Sequence, residues 1–374
     1  MGLFGGKKRK AKLIEERADE LKRSAKETLE KLGEENTGAK AEEIVKAPSS
    51  KKYKFTSETT DFMGVKLYRI QALRSFGEVQ KGMLGGFIEK EGNLDHAGEA
   101  WVADDAKICG NAQVYGNAQI YDDARVYGSA QVYDNAKVFD KAEICDSAKI
   151  YNNAKVSGHN AKVSGTAQVY ENAEVNTTRV EDSARIYGGA SIIHTKKVAG
   201  NAQVYGNARV FEAEQISGNA QIYDNAQINT PAEVYGNAKV YENARVSDHA
   251  SIYGNAEIYG SAQVYDTANI FENAHVYGHT KIDGSAYICG EVHVYDNAKV
   301  NGGEISGNVR IYGNAEVGCS SVSDTTEIYG DAKVYWVESI GGNSRIYGNA
   351  VIADELLGLI EIYDEDISEP WEMI

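Results

Sequence analysis

Histidine and cysteine are the residue types best suited to acid–base, metal or redox chemistry, and this 374-residue chain has seven His and four Cys. Only His275, His293 and His279 cluster by spacing: the first two are eighteen residues apart, with the third between them. Such a group can serve as a general base or hold a transition metal. If the chain is an enzyme, these three are its catalytic candidates. The plainer reading is decoration of an exposed position that elsewhere holds Gln131, Lys149 or Arg185. No orienting carboxylate is evident from the sequence, so the plainer reading is preferred and no catalytic residue is assigned. Cys109, Cys145 and Cys289 fall in one outward column, without CxxC or Cys/His zinc spacing. Cys109 and Cys145 would stand ~9.6 Å apart, beyond disulfide reach. Acidic corners such as Asp122, Asp123, Asp134 and Asp140 offer loose Ca²⁺ sites, but the glycine-rich calcium nonapeptide is missing and solvated charge is the better reading. Recurrent Gly-Asn pairs do not form a phosphate loop. No metal and no cofactor is expected.

Tyrosine is the abundant residue with a chemical handle, 24 Tyr against 8 Phe. An excess of this kind points to a repeated motif rather than a mixed core. From Ala100 onward the sequence repeats every six residues, as in Ala112-Gln113-Val114-Tyr115-Gly116-Asn117. Forty-three successive units, from Val102 to Ile352, carry Val or Ile at the aliphatic position. The small residue and the aliphatic residue two further on share one side of a strand, and the polar residue between them faces out. Gly, Asp and Asn then supply a corner, because they tolerate positive φ. Such units bury their apolar side only by stacking, which makes a β-solenoid.

The residue after each aliphatic gives the number of sides. Every third unit places Tyr115, Tyr133, Tyr151, Tyr170, Tyr187, Tyr205, Tyr223, Tyr241, Tyr259, Tyr277, Tyr295, Tyr312, Tyr329 and Tyr347 in one column, whereas the other two columns are mixed. Four spacings depart from six, and all four fall at one corner, between the second and third columns. Val156 to Val163 is seven; Val175 to Val180, Val300 to Ile305 and Val317 to Val322 are five. The expected fold is all-β: a three-sided parallel β-helix of about 14 coils, roughly 65–70 Å long, with an N-terminal α-helical segment. No corner grows by more than one residue, so no pocket is expected. The column is an aromatic wall flanked by Asn117, Asn135, Asn153 and Asn172. Ring stacking and amide ladders between coils explain it as self-stabilisation; a contact surface for a second copy, a protein partner or glycan rings explains it equally.

Charge is divided. Residues 1–54 hold 15 Lys+Arg against 10 Asp+Glu, a net of +5; the remainder holds 24 against 45, a net of −21. An acidic body repels phosphates, so no nucleic-acid partner is expected. Residues 1–52 form a basic amphipathic helix and linker, with Ile14, Leu21, Leu29 and Leu32 on one stripe at a 3.6-residue period. That helix is read either as a docking or self-association element, which would make a homo-oligomer or a protein complex the expected state, or as a solvated, partly frayed tail. Residues 53–99 are assigned as an N-terminal β cap, 100–355 as the solenoid and 356–374 as a C-terminal cap, because open solenoid ends expose core. No stretch approaches the ~20 apolar residues of a membrane span. The opening six residues lie on the wrong side of the basic cluster for a signal peptide.

Six-residue units on three equal sides resemble the left-handed parallel β-helix of the hexapeptide-repeat superfamily. The cap segments Tyr68-Arg69-Ile70-Gln71-Ala72-Leu73-Arg74-Ser75-Phe76 and Lys81-Gly82-Met83-Leu84-Gly85-Gly86-Phe87-Ile88-Glu89, then Asn93-Leu94 and Ala100-Trp101-Val102, look like the opening segment of the YdcK-like β-solenoid family. The resemblance covers roughly residues 53–355. It implies left-handed winding, a bacterial or phage setting and, by likeness to hexapeptide enzymes, an acetyl-CoA-dependent acyltransferase. It carries no catalytic motif onto these positions. The preferred expectation is a non-enzymatic structural or binding scaffold, cytoplasmic or virion-associated if phage-encoded. The acyltransferase is the alternative, and an acidic rod mimicking DNA is a second.

Overall fold

The structure, a computed structural model, describes residues 51–318 and 320–353. The expected helix with its Ile14, Leu21, Leu29 and Leu32 stripe, the C-terminal cap and Cys319 lie outside the described residues. Among the described residues no helix is long and apolar enough to cross a membrane.

The six-residue unit folds as read. Two residues, such as Gln113–Val114 or Lys137–Val138, pair in a strand, and a corner follows. Every third strand joins the same sheet. The Tyr sheet has 14 strands and starts at Gln113–Val114; the second sheet has 15 and starts at Trp101–Val102. The third has 16 and starts with the N-terminal strands. Pairing is parallel and in register, aliphatic over aliphatic, as in Val114 with Val132 and Val138 with Val156. All forty-three aliphatic positions from Val102 to Ile352 are buried. Alanines such as Ala100, Ala106 and Ala112 complete the core between them.

Corners absorb the irregular spacings without disturbing this register. Val156 pairs with Val175 across nineteen residues and Val163 with Val180 across seventeen. Many corner residues sit in the left-handed region, including Asp104, Asp122, Asp134 and Asp140 at φ between 51° and 58°. Short polar side chains adopt that conformation more readily than others. Their carboxylates accept backbone N–H groups of the next turn: Asp122 N–H donates to Asp104 (3.2 Å), Asp140 N–H to Asp122 (3.0 Å) and Gly158 N–H to Asp140 (3.0 Å).

The structure has about fifteen turns, one more than counted from Val102. The extra turn uses Ile88 and Leu94, both fully buried, which pair with Ile108 and Val114. Ahead of it, β1 (Tyr53–Phe62) and β2 (Val65–Ala72) form an antiparallel hairpin, and β3 (Leu84–Ile88) pairs antiparallel with β2 and parallel with Lys107–Ile108. This converts a parallel edge into a hairpin edge. Lys52 anchors the start: its ammonium donates to Ala100 O (2.7 Å) and lies over the Phe76 ring. Burial lowers its pKa to about 8.

Gly85 and Gly86 explain part of the cap motif. A Cβ on Gly85 would lie 2.6 Å from Val102 O and from the Trp101 ring; one on Gly86 would lie 2.6 Å from Ala106 O. Only glycine lets β3 cross this close to the first turns. Gly86→Ala should therefore lower the urea midpoint, at a cost of ~1–3 kcal/mol. Gly92→Ala, where a Cβ meets nothing within 4 Å, should leave it nearly unchanged. Equal midpoints for the two variants would contradict this account of the cap.

Candidate functional site

The fourteen tyrosines form one uninterrupted stack. Thirteen successive ring pairs have centroids 4.7–5.1 Å apart and planes within 0–6° of parallel. Each ring follows a buried aliphatic of the Tyr sheet and is half-buried between its neighbours. Several hydroxyls turn back onto the sheet. Tyr151 and Tyr187 donate to Gln168 and Gln203 (both 3.2 Å), and Tyr241 donates to Glu257 (3.1 Å). Burial, with help from adjacent phenols, pushes Tyr133, Tyr170, Tyr223 and Tyr259 up to about 12. The wall is therefore neutral at physiological pH: apolar faces with hydroxyl tips.

Amide ladders run beside it. Asn117, Asn135, Asn153 and Asn172 are linked Nδ2 to Oδ1 at 3.0–3.1 Å. A second ladder, absent from the sequence reading, joins Asn201, Asn219, Asn237, Asn255 and Asn273 at 2.9–3.0 Å on another corner. Reading that corner at eighteen-residue steps would have found it. Shorter aromatic stacks occur elsewhere, such as Tyr235–Tyr253–Phe271, at 4.7–4.9 Å.

The structure brings His275 and His293 together as parallel rings 4.9 Å apart. His279 takes the next corner, where its backbone N–H donates to Asp296 O. A carboxylate the sequence did not reveal lies near: Glu257 Oε2 is 4.0 Å from His275 Nδ1. It is held already by Lys239 (2.7 Å) and Tyr241 (3.1 Å). Burial and the adjacent His275 hold His293 below the usual histidine range. Among the described residues no group of three or more His, Cys, Asp or Glu is arranged to hold a metal. Asp122, Asp134 and Asp140 spend carboxylate oxygens on backbone N–H groups of the next turn.

Cys109 and Cys145, read from the sequence as members of an outward column, are both buried. The hairpin covers Cys109 in a small second core with Leu67 and Phe87, against which Phe62, Val65 and Tyr127 pack. Burial pushes both thiols up. Pockets also depart from expectation. A hollow of about 590 Å³ lies at the cap beside Phe76, Met83, Trp101 and Tyr121. Another of about 540 Å³ lies at the irregular corner beside His159, Arg179 and His194.

The family described as YdcK Beta solenoid repeat matches residues 118–134 and 202–218. Each matched segment is one turn of the prism, running from a core alanine past three core aliphatics. The chain is a β-solenoid that carries the YdcK-type repeat in these two turns. No curated protein matches it. Tyr133 and Tyr205 lie within the matched turns.

The phenols of this solenoid give a pH signature. For the column phenols from Tyr115 to Tyr312 the folded pKa lies above the unfolded value of ~10, so the folded state holds protons that the unfolded state releases. Their contribution to stability is complete below pH ~10 and is lost as pH climbs toward 12. Absorbance at 295 nm should show most column phenols un-ionised at pH 10.5 in the folded protein, and about three-quarters ionised in guanidinium. Superimposable titrations in the two solvents would rule out a buried stack.

Proposed function

We propose that this solenoid is a non-enzymatic binding scaffold whose tyrosine face is its contact surface. The unbroken stack of fourteen half-buried rings carries the reading. Its hydroxyl-tipped apolar strip is suited to a second copy of the chain, to a protein partner or to glycan rings laid on aromatic faces. Residues 1–52 are proposed as a second point of attachment to such a partner. Left-handed winding and a bacterial or phage setting belong to the same reading through the family resemblance. The acidic body, net −21 from residue 55 onward, favours partners other than nucleic acid. The DNA-mimic alternative is weakened by the neutrality of its most regular face.

Replacing Tyr151, Tyr187, Tyr223 and Tyr259 by Ala should reduce self-association in sedimentation, or capture on a glycan array, at least tenfold. The matching Phe variant, which keeps the stacked rings, should retain self-association. Unchanged mass and unchanged capture in the folded Ala variant would defeat the proposal.

The second reading, an acetyl-CoA-dependent acyltransferase, is favoured by one observation: His275 and His293 stack beside Glu257. It predicts saturable acetyl-CoA binding and turnover that falls at least a hundredfold in His275→Ala. The scaffold reading predicts neither in the full chain.

A further inference from the structure

We propose that the recess at the irregular corner binds an anionic group of the phosphate or sulfate class. The recess follows from two unequal corners. The turn through Val156 carries one residue more than six, Gly158-His159-Asn160, and the next turn carries one fewer, at Thr177-Thr178. Register is restored afterwards, so stacking gains nothing from the pair. The short corner lies recessed between longer neighbours and leaves the hollow of about 540 Å³. That volume suits a small ligand.

The same three turns interrupt the acidic column of this edge. Asp104, Asp122 and Asp140 occupy the left-handed corner position before the recess, and Glu212 occupies it after. Between them stand Gly158, Thr177 and His194. The lining replaces acid with base: Lys162, Arg179 and Lys196, with His159 and His194. Glu143 is the lining carboxylate, and it is already taken by Arg125 (2.8 Å) and the Tyr127 hydroxyl (3.3 Å). Glu181 is shared by Arg179 and Lys197, and Glu214 is held by Lys196. Lys162 has no ion-pair partner among the described residues. In the lining itself Lys162, Arg179 and Lys196 stand against one carboxylate, Glu143, before either histidine is counted. This is a cationic spot on a body of net −21. Lys162, Arg179 and Lys196 come from three successive turns, with Asn160 beside them, and cationic side chains of this kind recognise phosphate and sulfate oxygens. The tyrosine face lies on a different corner, so this site stands or falls independently of it.

The test is a side-chain NMR titration of the full chain at constant ionic strength, with His159→Gln and His194→Gln assigning the two resonances. The probes are inorganic phosphate and sulfate, then glucose 6-phosphate and glucose 6-sulfate to separate the two sources. Saturable shifts of His159 and His194, with the other five histidines still, are expected for at least one probe. Lys162→Gln and Arg179→Gln should each weaken that binding fivefold or more, and the distant Lys239→Gln should not; thermal melts confirm that each variant folds. No saturable shift with any probe, or equal affinity in all variants, would overturn the proposal.

Discussion

The rise of the backbone from one turn to the next governs this molecule. Each outward strand residue donates its N–H to a carbonyl one turn on: Gln113 to Ala130, Gln131 to Ala148, Lys149 to Ala167, at 2.9–3.0 Å. Such pairing fixes neighbouring strands at ~4.8 Å. Every side chain then inherits that spacing from the residue eighteen positions away. The tyrosine rings stand 4.7–5.1 Å apart because the backbone places them there, and their near-parallel planes are the response of flat side chains to it.

The same constraint sets what each column can contain. Identical neutral groups stack favourably, as phenols and amides do here. Identical charges repel, and at several outward positions the next turn supplies the opposite sign. Lys155 lies over Glu174, Lys239 over Glu257 and Lys299 over Glu316, at 2.6–2.7 Å. Acidic corners answer differently, by turning carboxylate oxygens onto backbone N–H groups of the following turn. The basic recess is one of the places where this edge lacks an acidic corner residue. The cap solves another consequence of the rise: a parallel sheet has an open edge, and the β1–β2 hairpin closes it through two glycines that admit close approach.

Legibility in the sequence followed the distance over which each feature is encoded. The three-sided prism and the tyrosine stack were readable because a single period repeats through them; the uniform Tyr column alone separates three sides from two or four. Ile88 and Leu94 escaped the count because eight residues, not six, separate Leu94 from Val102. The periodicity assigns Cys109 to an outward column, and it does point outward from the prism. It is nevertheless buried, because the hairpin that covers it is joined to it by no local pattern. The recess was hidden for a similar reason. Single insertions and deletions were visible, but a hollow depends on the relative lengths of adjacent corners, and its basic lining comes from three turns. Glu257 near His275 was likewise a neighbour one turn away, not a neighbour in sequence.

The account rests on residues eighteen apart standing one strand spacing apart in space. Pulsed electron paramagnetic resonance between spin labels tests this directly, with Cys109, Cys145, Cys289 and Cys319 replaced by Ser. Labels at Gln113 with Gln203, Lys239 or Glu257 are separated by five, seven and eight turns. The expected backbone separations are about 24, 34 and 38 Å, rising linearly with turn number. Distances that fail to increase with the number of turns would contradict the solenoid, and with it the tyrosine face.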